Sequence, residues 1–116
     1  MSVPATVQTE EEMLKWAKEK PWVRKELGEY EETCQAFAQK VSQLDGVVTI
    51  GAIPYAGYVE LWTVTARDNR DLGKAIIECF IKVVRKSDPE LLFDFMITSK
   101  REHLPEEAIF LYEKEK

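Results

Sequence analysis

Residues 58–98 read YVELWTVTARDNRDLGKAIIECFIKVVRKSDPELLFDFMIT, and three patterns follow one another in them. β-Branched and aromatic residues fill 58–66, with Val59 and Leu61 on one face and Trp62 and Val64 on the other, which is strand chemistry. Glu60, Thr63 and Thr65 interrupt the apolar residues, so one face of this strand is expected to be partly wet. The polar run Arg67-Asp68-Asn69-Arg70-Asp71 follows. From about residue 69 to 86, Leu72, Ala75, Ile76, Cys79, Phe80, Val83 and Val84 recur at helical spacing. Asp68 or Asn69 suits the N-cap, and Arg85-Lys86 suits the negative end of the helix dipole. Asp88-Pro89 stops the helix. Residues 90–98 then read as a strand, with Leu91, Phe93, Phe95 and Ile97 on one face and Leu92, Asp94, Met96 and Thr98 on the other.

Towards the N-terminus, Val47 to Ile53 is a β-rich run separated from Tyr58 by the turn residues Pro54-Tyr55-Ala56-Gly57, so 47–66 reads as a hairpin. Gly51 inside the first strand points to a bulge or a close backbone approach. From Pro21 to Leu44 the residues Val23, Leu27, Tyr30, Cys34, Phe37, Val41 and Leu44 recur every three or four positions. This predicts one long helix, weakened by Gly28 and stopped by Asp45-Gly46. The stripe suits covering a sheet better than a coiled-coil seam, because Tyr30 and Cys34 are poor seam residues. Before it, Thr9-Glu10-Glu11-Glu12 is a capping box opening a short helix with Met13, Leu14, Trp16 and Ala17 on its apolar face. Residues 1–8 read as a flexible lead, and 9–116 as one domain. Residues 105–113 carry helix-start chemistry in Pro105-Glu106-Glu107 and strand chemistry in Ile109-Phe110-Leu111-Tyr112. A short last strand is favoured.

The expected architecture is α+β: two N-terminal helices, a β-hairpin, a helix and one or two further strands, forming a sheet of three or four strands with helices on one face. The strands 58–66 and 91–98 can pair in parallel through the intervening helix, or lie antiparallel with another strand between them.

A chain of 116 residues with a net charge of −5 is long enough to bury its own core without disulfide or metal. The charge is uneven, with a net of −4 over residues 1–60 and +1 over 61–103. The acidic total argues against nucleic-acid and anionic-membrane partners, which need a basic face. No apolar stretch has the length of a membrane-spanning helix, and no signal peptide is visible. Two isolated cysteines, Cys34 and Cys79, are expected to be reduced packing residues, which fits a cytoplasmic protein.

No catalytic motif is present. The single histidine, His103, reads as a solvated loop residue. One histidine and two scattered cysteines argue against a structural zinc site. Glu60 and Asp94 interrupt strands, but the lysine of a nuclease carboxylate site is missing, so both are expected to face solvent or to pair across the sheet. No phosphate loop or dinucleotide fingerprint occurs, and no cofactor is implied.

Two functional expectations remain. The first is a non-catalytic protein-interaction or regulatory module that binds another protein or itself as a homodimer, with Tyr55, Tyr58 and Trp62 as candidate contact residues. The second is a domain that binds a small anionic ligand, or acts on one. If strands 58–66 and 91–98 are parallel, their carboxyl ends and the start of the helix between them share one edge. Arg67, Arg70, Lys100, Arg101 and His103 would gather there as a cationic crevice, with Asp68 and Asp71 offsetting part of the charge.

Overall fold

A computed structural model of the chain describes Arg24 and residues 26–114. The expected first helix and the flexible lead lie outside the described residues. The described chain runs α1 (Glu31–Val41), β1 (Val47–Pro54), β2 (Val59–Thr65), α2 (Arg70–Lys86), β3 (Phe93–Thr98) and β4 (Ile109–Glu113), with 3-10 turns at Gly28–Tyr30 and Arg101–His103. Over the described residues the fold is α+β, with a four-stranded mixed sheet and two helices.

The long helix expected over 21–44 is corrected. Among the described residues of that range, only Glu31–Val41 is α-helical, and it follows the 3-10 turn. Gly28 has φ 56°, a left-handed conformation through which a right-handed helix cannot pass. The apolar spacing misled because Leu27 and Tyr30 are buried all the same, from a turn rather than a helix. Within α1 the stripe holds, with Cys34, Phe37, Ala38 and Val41 facing the core.

β1 and β2 form the expected antiparallel hairpin, with Val47 opposite Thr65 and Pro54 opposite Val59. At its turn the Tyr55 amide donates to the Tyr58 carbonyl at 2.8 Å. Gly46, at φ 99°, turns the chain from α1 into β1. α2 opens on Asn69, whose side chain accepts from the Leu72 amide at 3.1 Å and closes one of the helix's free donors. Leaving α2, the chain pairs β3 with β2 in parallel, from Val59 opposite Phe93 to Val64 opposite Thr98. Residues 109–113 form a strand, β4, antiparallel to β1. The strand order is β3-β2-β1-β4.

Two apolar clusters lie on the two faces of the sheet. Phe37 and Val41 of α1 and Ile76 and Val83 of α2 pack with Ile50, Ala52, Val59 and Leu61. Strand alternation turns Ile53, Trp62 and Val64 the other way, where Leu104 and Ala108 cover them. These last two belong to the connection from β3 to β4, which crosses the sheet from one edge strand to the other. Gly51 lies directly beneath that crossing. A Cβ there would stand 3.3 Å from the Ala108 Cβ and 3.4 Å from Leu104 Cδ1. The β1–β4 register shifts between Ile50 and Gly51, so this glycine marks both a bulge and a close approach.

Candidate functional site

Parallel pairing sends the carboxyl ends of β2 and β3 to the same edge of the sheet. Because α2 starts five residues after β2, its N-terminus lies there as well, with the unpaired amides and partial positive charge of a helix start. The chain leaving β3 forms the opposite wall. Thr98 Oγ1 accepts from the Lys100 amide at 3.1 Å and lies 3.0 Å from His103 Nδ1, so one hydroxyl braces the turn that carries both residues. The Leu104 amide donates to the Arg101 carbonyl at 3.1 Å, holding the following 3-10 turn.

Between these walls is an open crevice of about 740 Å³. Arg70, Lys100 and His103 line it together with Asp68. Its apolar lining is Trp62, Met96 and Ile97, and Gly73 contributes bare helix backbone. Trp62 is 9 % exposed, and its indole N–H donates to Glu60 Oε1 at 2.7 Å.

Of the residues assigned to this place from sequence, Arg70, Lys100 and His103 meet here and two do not. Arg67 lines a separate, smaller hollow beside Asp45 and Lys114. Arg101 turns towards β4, where its guanidinium lies 3.6 Å from the Glu113 carboxylate and 4.9 Å from the centre of the Phe110 ring. Sequence reasoning missed the apolar share of the lining, Trp62, Met96 and Ile97. These belong to strands whose side chains meet only once the parallel register is known.

Tyr55 and Tyr58 lie at the other end of β2. Their rings stack 4.9 Å apart at the hairpin turn. Burial first, then the Glu60 charge, Tyr58 and Glu107, hold the Tyr55 hydroxyl above its ordinary pKa of 10.0. Trp62 does not join them as a surface anchor, being buried under the β3–β4 connection.

The remaining chemistry-bearing residues have local structural partners. Glu60 and Asp94 are register neighbours on β2 and β3. Glu60 accepts from Trp62, and Asp94 Oδ1 accepts from the Phe95 amide at 2.8 Å. Cys34 is fully buried, and burial, then the Glu31 charge, push its thiol up to about 12. Cys79, expected to be buried, is only half-buried, packed against the core cluster of Ile76 and Val83. Among the described residues no group of three or more His, Cys, Asp or Glu side chains is placed to hold a metal ion. No described helix is long and apolar enough to cross a membrane. Compared with protein-family models, curated proteins and solved structures, the chain matches none.

Proposed function

We propose that this chain is a non-catalytic binding module whose crevice at the carboxyl ends of β2 and β3 takes an anionic group. One observation carries the reading: the parallel register brings Arg70, Lys100, His103 and the N-terminus of α2, from two separate loops, around one open crevice. Open α/β sheets bind ligands at this edge, and free amides at a helix start complement negative charge. Asp68 offsets part of that charge, so the guest carries a small charge and is held by few ionic contacts. The reading concerns binding alone, because Thr98 and His103, the closest hydroxyl–imidazole pair, are engaged in bracing the turn.

The test is titration with inorganic phosphate and with acetate, followed by the backbone amide shifts of residues 69–73 and 98–103. Saturable shifts confined to these amides at millimolar concentration support the reading. Amides that stay unmoved by both anions overturn it.

The second reading, a protein-interaction module or a homodimer, draws on the opposite end of the sheet. There the Val59 amide, next in sequence to Tyr58 of the stacked Tyr55–Tyr58 pair, donates to the carbonyl of Leu92, which is 60 % exposed. Exposed apolar and aromatic residues of this kind anchor protein contacts. Sedimentation equilibrium of the full chain, beside Leu92→Ser, tests it. A dimer that the substitution weakens supports this surface, and a monomer at high micromolar concentration removes self-association.

A further inference from the structure

We infer that the guest of this crevice is an amphipathic anion, one anionic head on an apolar body, rather than a free inorganic anion or a polyphosphate. The inference rests on the anion-binding reading above and adds the chemistry of the rest of the ligand.

Three observations carry it. First, the polar handle of Trp62 is already used. Its N–H is held by Glu60 at 2.7 Å, so what the indole offers the crevice is hydrocarbon and ring surface. Second, Met96, beside Trp62 in the parallel register, is 42 % exposed on an edge strand. It is an unbranched, polarisable side chain of the kind that moulds to irregular apolar guests. Third, Gly73 leaves space. A Cβ built there meets nothing within 4 Å, so the α2 wall of the crevice is open at that point.

The charge fits the same guest. Arg70 and Lys100 face the crevice with Asp68 among them, a balance suited to one anionic head and poorly suited to the several charges of a polyphosphate. Head and body then have distinct places, the head by the α2 start and Lys100, the body along Trp62 and Met96, register neighbours on one face of the sheet.

Four probes on the full chain separate the possibilities: octanoate, 1-octanol, acetate and phosphate. The readouts are the amides of residues 69–73 and 98–103 and the Met96 methyl signal. Octanoate is expected to bind at least about tenfold more tightly than acetate, the gain of burying about two methylenes, and to move the Met96 methyl together with the amides. Met96→Ser, at an exposed position, is expected to remove most of that gain and bring octanoate affinity down towards that of acetate. If acetate and phosphate bind as tightly as octanoate and Met96 stays still, the amphipathic assignment is overturned and the anion site stands. If octanol binds as tightly as octanoate, the crevice is a plain apolar cleft and both fail. If none of the four moves these signals, both fail as well.

Discussion

The indole N–H of Trp62 and the carboxylate of Glu60 are joined at 2.7 Å on the crossed-over face of β2, two residues apart on one strand. A part-buried indole donor left without its acceptor costs more than the net value of the bond. Glu60→Ala is therefore expected to destabilise the fold by about 1–2 kcal/mol, with Glu60→Gln, which keeps an acceptor, losing less than half of that. Urea unfolding of the three proteins measures it. Equal losses for Ala and Gln would show that the bond is not what holds Trp62.

Cys34 links stability to alkaline pH. Its thiol is pushed up to about 12 from an ordinary 9.0, so the native state holds this proton more tightly than the unfolded chain does. The contribution is complete below about pH 9 and falls as pH climbs from there towards 12. Between about pH 8 and about pH 10 the native protein should lose more stability than Cys34→Ala, measured by urea midpoints. Native thiol labelling should also be uneven, with half-buried Cys79 reacting well before buried Cys34. Parallel pH curves for the two proteins would be the contrary result.

Gly46 and Gly73 respond to the same substitution with opposite signs. At Gly46 the backbone is left-handed, φ 99°, and a Cβ would stand 2.9 Å from Leu72 Cδ2. Gly46→Ala should cost about 1–3 kcal/mol. Gly73 lies inside α2 with open space beyond it, so Gly73→Ala should be neutral or gain up to about 1 kcal/mol of helix propensity. Thermal unfolding of both variants checks the pair, and a stabilised Gly46→Ala would refute the strain at that turn.

β3 is an edge strand, and Asp94 guards it. In a parallel pair alternate amides point away from the partner, and Phe95 is among the outward ones by the Val59–Leu92 bond. Asp94 occupies that amide at 2.8 Å and adds a charge to the edge. Asp94→Val should raise self-association at high micromolar concentration, visible by sedimentation equilibrium. A variant as monodisperse as the parent would show that the edge is protected by other means.

α2, the hairpin and the last strand were legible because each is local. The α2 stripe with its Asn69 cap, the turn 54–57 and the Ile109–Tyr112 run are short-range patterns. The helix over 21–44 was misjudged because buried residues at spacings of three and four also occur in a turn, and only the sign of the Gly28 φ separates the two. For the crevice, Arg70, Lys100 and His103 could be named once a parallel crossover was supposed. Arg101 could not be placed, since its direction depends on Glu113 and Phe110, which only the return of β4 brings near. Likewise, nothing in residues 58–66 says that Trp62 will lie beneath Leu104 and Ala108.

The strand order has a consequence during synthesis. The β1–β2 hairpin is complete at Thr65, yet the outer edge of β1 finds its partner only when Ile109–Glu113 arrives. At about 5–20 residues per second a ribosome leaves Thr49–Ala52 of this apolar strand unpaired on that side for several seconds. The nascent chain therefore passes through a stage in which the centre of its future sheet is a sticky margin. Any ribosome stalled before β4 would release a product with that margin permanently open to other chains.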